Sequence, residues 1–218
     1  MNFRNKKTQA TINNEWNSLA GEWDDLASSY RDIFIKVLWQ QTGLEPNEKR
    51  VIVDFGCGTG LLTESLRRQS PHSDFICIDA AEQMVEVVED KIRAGEWENV
   101  QAFCVTLAEH ERASERIRNT LKSLHGKVDL ITASSVLSFI PPQDLQATMK
   151  VLGTLLRPGG LLCHSDWMKS NEFPYGYSEE KAIQVYEMAG LKPKSAFHTC
   201  INMGLQEGKV FVGVAEKS

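Results

Sequence analysis

The ten residues VIVDFGCGTG, positions 51 to 60, constrain the fold of this chain more than any other stretch. Three β-branched residues lead to Asp54, and glycines then occupy the alternate positions 56, 58 and 60. A glycine-rich turn between a strand and a helix brings backbone N–H groups close to a ligand and points the helix N-terminus at it. The stretch therefore predicts the first strand, turn and helix of an open α/β sheet, with a ligand site at the turn.

The spacing of these glycines and the aspartate before them limit the kind of ligand. Dinucleotide-binding turns read G-x-G-x-x-G, whereas this turn reads G-x-G-x-G and contains no Gly-Lys-Ser/Thr phosphate loop. Asp54 would repel a phosphate and attract a cation. Asp79 ends the next apolar run, 19 residues after Gly60, and an acidic residue at that distance accepts hydrogen bonds from a ribose diol. These features indicate a ligand with a nucleoside part and a positive charge but no phosphate, a description that S-adenosylmethionine fits.

Short apolar runs alternate with helical patterns through most of the chain. The strand-like runs lie at 50–55, 74–78, 100–105, 128–133 and 160–165, and the helical patterns at 60–69, 81–94, 109–124 and 143–156. This alternation is typical of βαβ units and of a parallel sheet covered by helices on both faces. A last helix at 178–190 precedes two strand-like runs, 195–202 and 208–215, which predict an antiparallel hairpin at the end of the sheet.

The N-terminal segment has a helical pattern of its own. Apolar residues recur at steps of three and four from Asn13 to Gln41, which predicts one or two helices, whereas residues 1 to 10 are polar and are expected to be frayed. The chain has 218 residues and no convincing linker. We therefore expect one domain, 1–218, in which residues 1–45 form a helical lid and residues 46–218 a Rossmann-like core.

Composition limits the partners and the compartment. The formal net charge of −5 argues against a dedicated nucleic-acid binder. The five cysteines form no CxxC pair and are expected to be buried, reduced thiols rather than metal ligands. No apolar stretch resembles a secretory signal or approaches the ~20 residues that span a bilayer. These features predict a cytoplasmic protein with no metal and no membrane partner.

Four stretches together resemble the class I S-adenosylmethionine-dependent methyltransferases, in particular the members that act on small molecules. They are VIVDFGCGTG, ICIDAAEQM, VDLITASSVLSFIPP and LLRPGGLLCHSDW, and the likeness extends over nearly the whole chain. The resemblance implies an α/β fold, with a seven-stranded, mostly parallel Rossmann-like sheet that has helices on both faces and an antiparallel last strand. It also implies methyl transfer with S-adenosyl-L-methionine as the cofactor.

The resemblance further implies which residues surround the cofactor. Asp54 and the glycine turn would take its methionine end, Asp79 its ribose, and residues 80 and 84 its adenine. Where the family often has an aspartate after the third strand, this chain has Thr106, so either Thr106 or the backbone near Leu107 would contact the adenine. The expected cofactor residues are Tyr30, Asp54, Gly56, Cys57, Gly58, Gly60, Asp79, Ala80, Met84, Thr106, Leu107 and Ser134.

The acceptor side is predicted from geometry, because ligands of open α/β sheets bind beyond the carboxyl ends of the strands. That rule selects His164 and Asp166 as candidate catalytic residues, although a structural core histidine explains His164 equally well. A general base is needed only if the acceptor must lose a proton. The candidate acceptor-binding residues are aromatic: Trp16, Trp23, Phe139, Trp167, Tyr175 and Tyr177.

Three functions stay open at the level of sequence. Short loops and the lack of an added recognition domain favour methyl transfer to an O, N or S atom of a small molecule. A tRNA or protein methyltransferase is an alternative, because basic residues cluster between 112 and 127. A third is a module that binds the cofactor without turnover. The acceptor and the oligomeric state are not indicated.

Overall fold

The computed structural model describes residues 7–170, 176–202 and 207–218, which form a seven-stranded sheet. The strands are β1 (Val51–Phe55), β2 (Asp74–Asp79), β3 (Val100–Cys104), β4 (Val128–Ser134), β5 (Leu156–Trp167), β6 (Leu191–Asn202) and β7 (Glu207–Lys217). Their order is β3-β2-β1-β4-β5-β7-β6, and β7 runs antiparallel to both of its neighbours. The remaining pairs are parallel, so the predicted fold class is confirmed.

Helices connect the strands and cover both faces of the sheet. They are α1 (Gln9–Asn17), α2 (Trp23–Thr42), α3 (Leu61–Gln69), α4 (Glu82–Gly95), α5 (Glu115–Ser123), α6 (Pro142–Leu155) and α7 (Glu179–Met188), with short 3₁₀ helices at Leu107–Arg112 and Leu137–Phe139. None of the helices in the described part of the chain is long and apolar enough to cross a membrane.

Alternating strand residues divide the core into two apolar layers. Val53 and Ile131 point into the layer that α5, α6 and α7 cover, whereas Ile52 and Leu130 point into the layer under α2, α3 and α4. Both faces of the central strands are therefore buried, as expected for a parallel sheet.

Three sequence expectations about the elements need correction. The helix expected at 109–124 is a 3₁₀ helix followed by α5, because the Ser114 hydroxyl accepts the Ile117 N–H and caps a new helix. Helix α1 begins at Gln9, inside the stretch expected to be frayed, because the Thr8 hydroxyl caps it in the same way. Strand β5 is longer than its apolar run, since it pairs with β4 on one side and β7 on the other.

The cysteines are all free, but only three are buried. Cys57, Cys77 and Cys163 lie in the interior, whereas Cys104 and Cys200 are exposed. The two exposed thiols belong to β3 and β6, which are the edge strands of the sheet. The expectation of uniformly buried thiols is therefore wrong for these two positions.

Candidate active site

The glycine turn after β1 is shaped by left-handed backbone conformations. Gly56, Gly58 and Gly60 have φ values of +68°, +54° and +77°, a region that residues with a Cβ atom rarely adopt. A Cβ atom at position 56 would also lie 2.2 Å from a methyl carbon of Val136. The Gly56 N–H donates to the Ile78 carbonyl at 2.7 Å. The turn is thus held between the end of β2 and the segment that follows β4.

Asp54 is a buried carboxylate whose contacts are neutral hydroxyl groups. Its Oδ2 accepts from Thr63 Oγ1 at 2.6 Å and its Oδ1 from Thr132 Oγ1 at 2.9 Å. Burial raises the pKa of Asp54 to about 6, although both threonine hydrogen bonds act to lower it. A cationic ligand beside this group would therefore stabilise its ionised form.

Asp79, at the end of β2, is held by the backbone on both sides. Its Oδ2 accepts from the Gly58 N–H and its Oδ1 from the Ala81 N–H, each at 2.9 Å. Burial raises the pKa of Asp79, and the hydrogen bond from Ala81 is the largest opposing effect. Each carboxylate oxygen keeps a further lone pair that can accept a hydroxyl of a ligand.

A cavity of about 1090 Å³, counting the space at its mouth, opens beside this turn. All the residues expected around the cofactor line it except Gly60. Gly60 instead is the N-cap of α3, and its N–H donates to the Cys57 carbonyl at 2.9 Å. The carboxyl ends of β1, β2 and β4 thus bring together residues that lie far apart in the sequence.

The N-terminal aromatics and Phe139 also line the cavity. Trp16 makes edge-on contacts with Trp23, at 5.0 Å between ring centroids, and with Phe139, at 5.3 Å. The Trp23 indole also lies against the glycine turn, 3.4 Å from where a Cβ atom of Gly58 would be. The predicted acceptor-side residues 16, 23 and 139 therefore line the same cavity as the predicted cofactor residues.

Helix α2 is tied to the glycine turn by its first acidic residue. The Asp24 carboxylate accepts a hydrogen bond from Thr59 Oγ1 in the turn and pairs with Lys91 Nζ of α4 at 2.6 Å. The N-terminal helical segment thus contacts the turn through a polar side chain as well as through Trp23.

Sequence reasoning missed part of the cavity wall. The additional lining residues are Gln9, Ile12, Asn13, Ala27, Arg31, Leu61, Leu62, Phe55, Val105, Ser135, Val136, Ile140 and Thr148. Gln9 lies in the stretch 1–10 that was expected to be frayed, and Ile12 and Asn13 lie at the start of the predicted helical pattern, where no contact with the site was predicted. The signal that could have found them is the capping threonine at position 8, followed by apolar residues four positions apart at 12 and 16.

His164 and Asp166 do not line the cavity, because β5 turns their side chains toward α7. Both are fully buried. His164 Nδ1 lies 3.0 Å from Asp166 Oδ2, and His164 Nε2 lies 2.9 Å from the Tyr186 hydroxyl. Ser165, which the sequence reasoning passed over, points to the opposite face and accepts from the Tyr30 hydroxyl at 2.8 Å. Burial raises the pKa of Tyr30, so this phenol stays protonated.

Tyr177 and Trp167, two further aromatics predicted on the acceptor side, also lie away from the cavity wall. Tyr177 is fully buried, with its ring 5.0 Å from that of His164. Trp167 lies behind Tyr30, at 6.2 Å between ring centroids. Tyr175 lies outside the described residues. His198 of β6 packs against Phe211 of β7.

The sheet order, the left-handed glycine turn after β1 and the acidic residue ending β2 define a Rossmann-like protein with a nucleoside site. A family model described as "Methyltransferase domain" matches residues 53–162, half of the chain. The chain belongs to this methyltransferase family, and the resemblance to class I S-adenosylmethionine-dependent methyltransferases is confirmed.

Individual relatives are distant. The chain is 28% identical over 134 residues to a carboxy-S-adenosyl-L-methionine synthase of Shewanella sp. (strain ANA-3), which covers 60% of this chain and 49% of that protein. It is 27% identical over 122 residues to malonyl-[acyl-carrier protein] O-methyltransferase 2 of Ilyobacter polytropus, covering 56% and 41%. The chain thus spans about half the length of the curated relatives it matches.

A solved structure shares nearly the whole fold. The 1,6-didemethyltoxoflavin-N1-methyltransferase of Burkholderia thailandensis, with its substrate and S-adenosylhomocysteine bound, superposes with a TM-score of 0.71. The match covers 96% of this chain and 88% of that chain at 16% identity. At this identity the likeness shows the fold alone.

Proposed function

We propose that this protein is an S-adenosylmethionine-dependent methyltransferase that transfers a methyl group to an O, N or S atom of a small molecule. The observation that carries the proposal is one cavity lined by two sets of residues. One set, the cofactor end, is the glycine turn with the carboxylates of Asp54 and Asp79. The other set, the aromatic end, is Trp16, Trp23 and Phe139, of which Trp23 also contacts the glycine turn.

The residues at the first end fit S-adenosyl-L-methionine. Asp54 would hold the α-ammonium group and Asp79 the ribose hydroxyls, because a buried carboxylate near neutral contacts favours a cation and hydroxyl donors. The adenine would lie among Ala80, Met84, Thr106 and Leu107. Tyr30, Cys57 and Ser134 would border the methionine part.

Methyl transfer from such a cofactor places few demands on side-chain chemistry. When bound, the cofactor supplies the activated methyl group on its sulfonium. Trp16, Trp23 and Phe139 would orient the acceptor and exclude water, which lowers the entropic part of the barrier. We propose that His164 and Asp166 act indirectly, since neither lines the cavity.

The acceptor is proposed to be small and partly apolar or cationic, as the aromatic wall favours. The relatives named as acting on a malonyl carrier protein and on a didemethyltoxoflavin support a small acceptor group without selecting its atom. The basic cluster that would favour tRNA is partly engaged locally: Arg116 lies over the Phe103 ring, and Arg112 pairs with Glu109. The five free cysteines support a reducing compartment, the cytoplasm.

Binding and turnover are tested separately. Calorimetry with S-adenosylmethionine and S-adenosylhomocysteine should show one site per chain, and absence of binding would rule the proposal out. Release of S-adenosylhomocysteine is then screened over O-, N- and S-nucleophile acceptors. A protein that binds both compounds but turns over with no acceptor, including tRNA and protein, would be the binding module.

Replacing Asp79 with alanine should weaken S-adenosylhomocysteine binding by about 1–3 kcal/mol, measured by calorimetry. The change removes the acceptor of the ribose hydroxyls and also leaves the N–H groups of Gly58 and Ala81 without their partner. Asp79→Asn is the comparison, because it keeps the shape and removes the charge, and it should retain part of the affinity. Unchanged affinity in Asp79→Ala would contradict the placement of the ribose.

Replacing Asp24 with asparagine should raise the dissociation rate of S-adenosylhomocysteine by a factor of about two to five, since exposed ion pairs contribute up to ~1 kcal/mol. The change weakens the link from α2 to Thr59 and Lys91. Stopped-flow tryptophan fluorescence measures the rate. Asp25→Asn is the matched control, because Asp25 lies in the same helical turn and is exposed. Equal effects of the two changes would argue against a lid anchor.

A further inference from the structure

The turn between β4 and α6, residues 135–139, is fastened to the end of β5. The Ser135 N–H donates to the Ser165 carbonyl at 2.7 Å. Ser138 donates twice to Asp166 Oδ1, from its N–H at 3.0 Å and from its Oγ at 2.6 Å. Ser135 has a φ of +57°, and such a conformation in a residue other than glycine persists only where surrounding contacts impose it.

This turn carries two groups that shape the cavity. Val136 packs so closely against Gly56 that a Cβ atom on residue 56 would overlap the Val136 side chain. Phe139 makes the edge-on contact with Trp16 that joins the turn to the lid. Asp166 holds Ser138, the residue next to Phe139, whereas the Val136 side of the turn has its own anchor from the Ser135 N–H to the Ser165 carbonyl. Loss of the Asp166 contact should therefore move Phe139 more than Val136.

Asp166, which holds the turn, is itself held by a buried chain of hydrogen bonds. Its second oxygen faces His164 Nδ1, and His164 Nε2 faces the Tyr186 hydroxyl. A neutral imidazole with its proton on Nδ1 donates to Asp166 and accepts from Tyr186 Oη, so every partner is satisfied. Burial raises the pKa of Tyr186, which keeps its hydroxyl available as the donor.

The neighbouring strand leaves room for this chain. A Cβ atom at Gly213 in β7 would lie 1.9 Å from the Tyr186 hydroxyl and 3.0 Å from His164 Nε2. Glycine at this position therefore permits the hydrogen bond from α7 to β5. The network thus links α7, β5 and the 135–139 turn.

We infer that Asp166 is a positioning residue, which sets the place of Phe139 at the acceptor end of the cavity through its two hydrogen bonds to Ser138. His164 and Tyr186 act one step further back, by fixing the Asp166 carboxylate. The inference rests on the proposed function in assigning the aromatic end to the acceptor. The position of Phe139 itself can be measured without an acceptor.

The test uses the full chain with 4-fluorophenylalanine at position 139 and ¹⁹F NMR. The resonance should carry a ring-current shift from Trp16, which the Trp16→Leu variant removes. In Asp166→Asn one carboxylate oxygen, which accepts a hydrogen bond from Ser138 or faces His164, is replaced by an amide NH₂ that can only donate. The Phe139 ring should then move away from Trp16. We expect the resonance to shift at least halfway to its position in Trp16→Leu. S-adenosylhomocysteine affinity, measured by calorimetry, should stay within about threefold of the parent chain.

The matched control is Asp129→Asn. Asp129 also accepts a backbone N–H, from Val51 at 2.8 Å, and a side-chain donor, Arg157 Nε at 2.7 Å. It belongs to β4 at the end away from the cavity, so the ¹⁹F resonance should not move. An equal shift in this control, or none in Asp166→Asn, would overturn the inference.

Two further variants keep the test decisive. If Asp166→Asn does not fold, Ser138→Ala is used instead, since it removes only the hydroxyl donor. It should give a smaller shift in the same direction, and no shift would overturn the inference.

Tyr186→Phe tests the hydrogen bonds behind Asp166. It should also shift the resonance if the chain through His164 orients the Asp166 carboxylate. A parent chain that binds no S-adenosylhomocysteine would refute the proposed function, while the ¹⁹F comparison would still decide the role of Asp166.

Discussion

An alanine at position 56 should destabilise the folded chain by about 2–5 kcal/mol and abolish S-adenosylhomocysteine binding. The left-handed conformation of Gly56 accounts for one part of the loss. The larger part comes from overlap, because a Cβ atom would lie within 3 Å of three carbon atoms of Val136. Urea unfolding gives the free energy of unfolding, and calorimetry gives the affinity.

Two comparisons separate strain from overlap at this position. Gly43 has the same φ of +68°, with no described atom within 4 Å of its Cβ position, so Gly43→Ala should lose only about 1 kcal/mol. Adding Val136→Ala to Gly56→Ala should recover part of the stability. If the alanines at 43 and 56 cost the same, the packing of the glycine turn against the 135–139 turn is wrong.

Asparagine at position 54 should act in opposite directions on stability and on binding. Burial raises the pKa of Asp54 to about 6 despite its hydrogen bonds, so removing the ionised carboxylate should raise the free energy of unfolding at pH 7 by up to roughly 3 kcal/mol. The same change removes the negative charge proposed to face the α-ammonium group. S-adenosylhomocysteine should then bind about tenfold to a hundredfold more weakly, as for the loss of a charge-assisted hydrogen bond.

The pH dependence follows from the raised pKa of Asp54, about 6 against 3.8 for an ordinary aspartate. The folded chain holds this proton more tightly than the unfolded chain, so the contribution of Asp54 to stability falls as pH rises from about 4 to 6. The advantage of Asp54→Asn should therefore be small at pH 4 and complete above pH 7. The affinity of the parent chain for the cofactor should decrease as the pH is lowered below 6. The affinity of Asp54→Asn should not change over the same pH range.

Asp74→Asn is the control for both measurements. Asp74 begins β2 and is half exposed, 3.7 Å from Lys49 Nζ, so its replacement should change neither stability nor affinity much. If Asp54→Asn lowers the free energy of unfolding at pH 7, a group within the protein already stabilises the negative charge of Asp54. The proposal that this charge binds the α-ammonium group of the cofactor would then lose its basis.

The cofactor end of the site could be predicted from sequence because most of its residues lie at, or shortly after, the carboxyl end of a strand. Parallel strands place their carboxyl ends at one edge, so Asp54, Asp79 and Ser134 were expected to meet once the strands were recognised. The acceptor end could not be predicted in this way. Successive side chains of a strand point to opposite faces of the sheet. The run around His164 includes apolar residues on both faces, so the sequence does not show which of its residues face the cavity.

Local patterns in the sequence determined four things: the alternation of strands and helices, the glycine turn, the two carboxylates and the family. These depend on backbone geometry within a few residues, which glycine, proline and apolar spacing control directly. The tertiary structure decided which side chains share the cavity. It placed α1 over the site, turned His164 and Asp166 toward Tyr186, and made Asp166 the support of the 135–139 turn. Those outcomes depend on contacts between residues distant in sequence, which no local pattern encodes.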